Sequence, residues 1–265
     1  MKEGDAPFFV VCTGRCGTTT LVRLLRMHPK VCALNAPRPH LSVEAFAKWS
    51  GSIQKDKILN KIRRKRSNLI TQIISNNYVY VEASNYCANL IEELNELYSP
   101  KFIHLYCDGR DFVGRGLAKD WYKKKFFRHE LQALIRRKFL IDIGRTRVDH
   151  QLSPPGELKT RVEKITWLWT ELNRTILRYF SRIPEESKFS LRLENLDRKT
   201  LIDLHTFLGL DMIPEVLDKM MVFLEQTVRE SYNSIPHPFE NWPDKEKEQF
   251  NRIAGETMKI LGYGA

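Results

Sequence analysis

The stretch FFVVCTGRCGTTTLVRLLRMHP, Phe8 to Pro29, joins an apolar run to a glycine-bearing bend and then to apolar residues at helical spacing. FFVVC, short and bounded by the bend, reads as a buried parallel strand. Leu21, Leu24, Leu25 and His28 share one i, i+3, i+4, i+7 face, Arg23 and Arg26 point elsewhere, and Pro29 stops the pattern, so a helix follows. Between the two, Gly14 and Gly17 permit a tight turn around Arg15 and Cys16. N–H groups of such a turn converge at the positive end of the helix dipole and favour an anion, phosphate above all. Arg15 adds a positive fork, and Thr18, Thr19 and Thr20 add hydroxyl donors. An ordinary glycine turn with a Thr N-cap is the plainer reading of the same residues. A nucleotide triphosphatase loop would read GxxxxGK[ST], with Lys on the terminal phosphates. Here Thr18 follows Gly17, so that lysine is missing.

Working outward, Lys30–Leu34, Tyr78–Val81, Lys101–Cys107 and Lys188–Leu193 read as further strands, and NAPRPH is a loop by its two prolines. Residues 42–75 lean towards helix, as does LIEELNELY, and CDGRD is a second strand-to-helix turn. Val162, Ile165, Trp169, Leu172, Ile176 and Phe180 step by three and four along a long helix whose stripe is core. ENLDRKTLIDLHTFLGL continues as loop and helix to Gly209, and DKEKEQFNRIAGETMKILGYG closes the chain as an amphipathic helix with a Gly stop. Strands alternating with helices predict an α/β fold: a P-loop-like three-layer α/β/α domain with a central parallel sheet. At 265 residues the expectation is a single domain over 1–265, with an irregular insertion or cover at about 126–156 closed by SPPG.

The net charge of +11, from 43 Lys and Arg against 32 Asp and Glu, favours a polyanionic partner. The densest runs are KIRRKR (61–66), WYKKKFFRH (121–129) and IRRK (135–138). Without a nucleic-acid-reading motif they read as solvated faces, so sequence-specific nucleic acid binding is not expected. Five cysteines, at 12, 16, 32, 87 and 107, have neither disulfide-framework nor zinc spacing and read as small buried hydrophobes in a reducing compartment. No apolar leader or membrane-length segment stands out, so a cytoplasmic location is expected unless the chain is the lumenal part of a longer protein.

Taken together, these segments resemble the sulfotransferases that use 3′-phosphoadenosine 5′-phosphosulfate (PAPS). VVCTGRCGTTTLVRLLRMHP is similar to their 5′-phosphosulfate loop and KFIHLYCDGRDFVGRGLAKDWY to their 3′-phosphate strand-turn-helix. TWLWTELNR, LRLENL and the closing LGY also match bacterial-type and tyrosylprotein-type members. The resemblance implies PAPS as donor, no metal requirement, and binding through Gly14, Arg15, Cys16, Gly17, Thr18, Thr19 and Thr20, Arg15 also acting on the transferred group. In the second motif, members usually have Arg at the position of Cys107 and Ser at that of Arg115. Arg115, with Lys119 one turn along the same helix face, could supply the charge that position 107 lacks. A poorly read 3′-phosphate is the other reading. Arg110 and Asp111 could contact donor or simply stabilise the turn.

Sulfuryl transfer needs positioned cations and N–H donors, and a proton acceptor for the attacking hydroxyl or amine. Relatives often carry a Glu where this chain has Asn35 and Ala36. The substitutes are Glu82, ending the YVE strand, then His40, with Glu44 third. Glu82 could equally be an Arg partner or helix cap, and His40 a surface residue. Ser84 could contact substrate, but an N-cap role competes. The expected activity is transfer from PAPS to an unknown glycan, peptide, lipid or small-molecule acceptor, with the basic surface favouring an acidic one. The alternatives are a non-catalytic nucleotide- or polyanion-binding protein on the same scaffold, and an atypical P-loop kinase.

Overall fold

The computed structural model describes residues 6–49, 51–122, 158–232 and 237–264, with side chains left out at 228–232. The expected cover at 126–156 and most of the two basic runs after Trp121 lie outside the described residues.

Five strands, β1 (Phe8–Cys12), β2 (Val31–Asn35), β3 (Val79–Ala83), β4 (Lys101–Tyr106) and β5 (Lys188–Arg192), form one sheet in the order β2-β3-β1-β4-β5. Every pairing is parallel. β1 is buried along its whole length, as a continuous apolar run flanked by two neighbours should be. Nine helices accompany the sheet among the described residues: α1 (Thr18–Leu25), α2 (Ser42–Trp49), α3 (Lys55–Ser75), α4 (Ile91–Tyr98), α5 (Gly109–Ala118), α6 (Arg161–Phe180), α7 (Arg198–Phe207), α8 (Pro214–Tyr232) and α9 (Asp244–Ile260). The helix α8 had no counterpart in the sequence reading. The expected three-layer α/β/α domain with a central parallel sheet is what the structure has.

Leu24 of α1, Leu201 of α7, and Leu217, Met220 and Leu224 of α8 make a small core of their own. The larger core takes in the sheet, α5, α6 and α9. All six residues of the α6 stripe, Val162 to Phe180, are buried in it. A reciprocal capping box starts α6: Thr160 accepts from the Glu163 N–H, and Glu163 accepts from the Thr160 N–H. Glycine is required where α5 meets α6, because a Cβ at Gly116 would stand 2.9 Å from Ile165 Cγ2.

The order fixes where a ligand can sit. From β1 the chain runs out to β2 and back to β3 on one side, then crosses to β4 and continues to β5 on the other. The crevice beyond the carboxyl ends of β1 and β4 is therefore a topological switch point, where open α/β sheets bind ligands.

Candidate functional site

The loop leaving β1 lies at that switch point. Gly14, Arg15 and Gly17 all adopt left-handed backbone, with φ of 77°, 57° and 79°. For Arg15 this costs about 1–2 kcal/mol relative to the usual regions, so the loop is held from outside. Arg115 Nη1 donates to the Arg15 carbonyl at 2.9 Å. A Cβ on Gly17 would collide with Leu193, and one on Gly14 would press on Asn85 at 3.3 Å. Asn35, at the end of β2, donates to Thr19 Oγ1 at 3.2 Å. The Gly14 N–H donates to Cys12 Sγ at 3.4 Å, and Thr13 Oγ1 lies 2.7 Å from Cys16 Sγ. α1 then opens on Gly17 with no side-chain cap and no acidic residue in its first turn. Its leading N–H groups and positive dipole end stay available for an anion beside the exposed Arg15.

Across the crevice, the segment after β4 supplies the second wall. Asp108 caps α5, accepting from the Arg110 N–H at 2.8 Å and from the Arg110 guanidinium at 2.6 Å. That pairing, with the guanidinium 5.6 Å from the Phe239 ring centre, commits Arg110 to the turn. Asp111 pairs with Arg115 at 3.8 Å, and burial ahead of any charge effect holds its carboxyl above the usual range. Cys107 is fully buried, its carbonyl accepting from Trp169 Nε1 at 3.2 Å. Arg15, Cys16, Cys107 and Arg115 are thus brought together. Lys119 is exposed at the far end of α5, where its N–H closes the helix on the Arg115 carbonyl.

Three residues to which the sequence reading gave no role, Arg192, Glu194 and Tyr263, complete this wall. Glu194 accepts from the Asp108 N–H at 2.8 Å through Oε1 and from the Tyr263 hydroxyl at 2.8 Å through Oε2. Arg192 stacks 3.9 Å from the Tyr263 ring centre and donates to the Gly262 carbonyl at 3.1 Å. Burial first, then the Glu194 charge, raises the Tyr263 hydroxyl far above its ordinary range, so it stays a donor. Leu193, packed on Gly17, links this cluster to the loop. The family-like segment LRLENL was the available signal; the contacts of its Glu194 with Asp108 and Tyr263 are too distant in sequence for spacing to expose.

The candidate bases separate sharply. Glu82 is 0% exposed, and its carboxylate accepts from Arg66 Nε at 2.6 Å, Arg66 Nη2 at 3.0 Å and the Tyr80 hydroxyl at 2.7 Å. The same guanidinium donates to the carbonyls of Pro39 at 2.9 Å and Pro37 at 3.2 Å. Glu82 is therefore a buried partner of Arg66, one of the roles its position offered. His40 is exposed at the end of that loop, its carbonyl held by Lys65 Nζ at 2.8 Å. Glu44, also buried, pairs with Lys65 at 2.7 Å. Ser84 accepts from the Tyr86 N–H at 3.2 Å, as a turn residue does. The expectation that 61–66 is a solvated face holds at exposed Arg63 and Arg64 and fails at Arg66, which is 1% exposed.

Among the described residues no group of three or more His, Cys, Asp or Glu side chains could hold a metal ion, and no helix is long and apolar enough to cross a membrane. The crevice brings the uncapped start of α1 together with the guanidinium groups of Arg15 and Arg115, with exposed His40 on a neighbouring loop.

Neither a protein-family model nor a curated protein matches the chain. Solved structures do. The sulfotransferase domain from the curacin biosynthetic pathway aligns over 98% of both chains at 16% identity and a TM-score of 0.57. Sulfotransferase STF9 from Mycobacterium avium covers 99% of this chain and 78% of its own at 14% identity and 0.58. Mouse sulfotransferase SULT7A1, solved in complex with PAP, covers 97% and 87% at 13% identity and 0.52. The chain has the sulfotransferase fold.

Proposed function

We propose that this protein is a sulfotransferase that moves the sulfuryl group of PAPS to a hydroxyl or amine acceptor. The observation that carries the reading is the left-handed Gly14–Gly17 loop, opening an uncapped helix and tied to α5 by Arg115, on the sulfotransferase fold. The PAP in the mouse structure supports the choice of nucleotide.

In this reading the N–H groups from Arg15 to Thr20 hold the 5′-phosphosulfate, with Gly14 giving the loop its turn, and the hydroxyls of Thr18, Thr19 and Thr20 close the remaining acceptors. The acceptor oxygen attacks sulfur, the bond from sulfur to the 5′-phosphate oxygen breaks, and the bisphosphate leaves. Arg15 neutralises charge growing on the sulfonate and on that leaving oxygen, a contribution that needs no metal. Arg115 steadies the loop and, with Lys119, is the cation set facing the 3′-phosphate in place of an Arg at position 107. His40 is the proton acceptor, since its ring is open to solvent. Glu82 positions rather than reacts: through Arg66 it fixes the Pro37 and Pro39 carbonyls and so the loop that carries His40. The acceptor binds over this loop, and the basic surface favours one that is itself acidic.

A thermal-shift series tests the reading. The bisphosphate PAP should raise the melting temperature more than AMP, and both more than ATP with magnesium. A larger shift with ATP and magnesium would point to a kinase and overturn it. The absence of an acid at Asn35–Ala36, together with the enclosure of Glu82, favours one second reading, a nucleotide-binding protein without turnover. In that case PAP stabilises the protein but no acceptor class yields PAP from PAPS.

A further inference from the structure

Two thiols meet in the crevice between β1 and β4. Cys16, in the anion-binding loop, and Cys107, just past β4, are both 0% exposed, and Cys107 Sγ donates to Cys16 Sγ at 3.0 Å. We propose that Cys16 and Cys107 form a reversible disulfide that clamps the anion-binding loop to the start of α5. A disulfide needs the sulfurs about 2.05 Å apart, so the loop has only about 1 Å to move from the observed contact.

The environment assigns the two thiols different parts. Burial pushes the Cys16 thiol up, but the hydrogen bonds from Cys107 and Thr13 and the nearby Arg115 charge outweigh it, leaving Cys16 below its ordinary value. Cys107 is raised by its hydrogen bond to Cys16 and then by burial, so it keeps the shared proton. Cys16 is therefore the nucleophile. The two other buried thiols are poor competitors: burial first, then a neighbouring negative group, raises Cys12 and Cys87. Cys16 is itself buried but lies between exposed Arg15 and half-buried Gly17, so oxidation requires a local opening of this loop.

Hydrogen peroxide is the oxidant. The Cys16 thiolate attacks one peroxide oxygen, the O–O bond breaks, and the oxygen that leaves takes up a proton as water, giving a sulfenic acid on Cys16. The thiolate that held the Cys107 proton is then gone. Cys107 sulfur attacks Cys16 sulfur, the S–O bond breaks, and hydroxide leaves with the Cys107 proton as a second water. Two thiols lose two electrons to one peroxide, and an external dithiol reverses the change.

The clamp draws the Cys16 backbone out of the cradle, so oxidation weakens nucleotide binding; this consequence rests on the function proposed above. By linkage, nucleotide then opposes disulfide formation by the same factor.

The test treats the reduced full-length protein with hydrogen peroxide at about one equivalent and maps it by non-reducing mass spectrometry, with amide exchange over 13–20 as a second readout. The expected result is a Cys16–Cys107 linked peptide, loss of two of five thiols, and at least fivefold slower exchange across the loop, all reversed by dithiothreitol. Cys16→Ser and, separately, Cys107→Ser should each abolish both changes. PAP affinity should fall at least fivefold in the oxidised protein. A missing linked peptide, or a linked peptide with unchanged loop exchange, overturns the clamp. A reduced protein that ignores PAP overturns the sulfotransferase reading instead, while the peptide map and exchange still decide the disulfide.

Discussion

Arg115 Nη1 donates to the carbonyl oxygen of Arg15 at 2.9 Å, joining a helix on one side of the switch point to the Gly14–Gly17 loop on the other. The contact lets one guanidinium hold the loop's left-handed backbone and place positive charge beside it. Replacing Arg115 by Ala should weaken PAP binding by about 10- to 150-fold, the range for losing a charge-assisted hydrogen bond of about 1.5–3 kcal/mol. Calorimetric titration checks this, and Lys119→Ala, at an exposed position, should cost less. Equal losses from the two variants would place the anion further along α5.

Gly17 answers to two constraints at once, a φ of 79° and the Leu193 side chain. Gly17→Ala should destabilise the fold by about 1–3 kcal/mol and cut PAP affinity as well. Adding Leu193→Ala removes the collision and leaves the backbone strain, so the double variant should recover only part of the stability. Full recovery in urea unfolding would show that packing alone demands the glycine.

The Arg66–Glu82 pair is enclosed, with exposures of 1% and 0% for its side chains. Truncating one partner leaves the other charge buried, so Glu82→Ala should cost about 3–5 kcal/mol. The paired change Arg66→Met with Glu82→Leu should be markedly less costly, because no charge then remains to be solvated. If Glu82→Gln keeps the fold yet slows sulfuryl transfer far more than His40→Ala, the proton acceptor has been misassigned.

Burial of His104 in β4 holds its pKa down to about 4, against a smaller opposing effect of the hydrogen bond from its ring to Asn173 at 2.9 Å. An unfolded chain would protonate this residue near 6.5, so between those values the unfolded state binds more protons. The stability associated with the neutral ring is complete above about pH 6.5 and is lost as pH falls through about 4. Urea unfolding at pH 7.5 and 4.5 should show about 2–3 kcal/mol less stability at the lower pH from this residue. His104→Gln should remove that part of the slope, and an unchanged slope would assign it to carboxylates.

Much of the architecture was legible because the relevant signals are local. The apolar run FFVVC, the two glycines after it and the 3.6-residue stripe on α6 each specify a conformation from a few neighbours, and strand alternation specified the parallel sheet. α3 shows where local reading stops. Ile58, Ile62, Arg66 and Ile70 occupy one i, i+4 face and all are buried, so position 66 faces inward despite the basic run around it. The sequence offered Glu82 as the partner of some Arg, but which Arg reaches it across from α3 to β3 could be found only in three dimensions. The same holds for Glu194 with Tyr263 and for Cys16 with Cys107, 69 and 91 residues apart. Pairings at such distances depend on sheet order rather than on spacing.

The most direct test of the central claim is the position of the 5′-phosphate in a crystal of this protein grown with PAP. The account predicts phosphate oxygens within about 3 Å of the backbone nitrogens of Gly17, Thr18 and Thr19, with the Arg15 guanidinium turned onto the same group. A nucleotide bound elsewhere, or a loop that stays empty at saturating PAP, would contradict it.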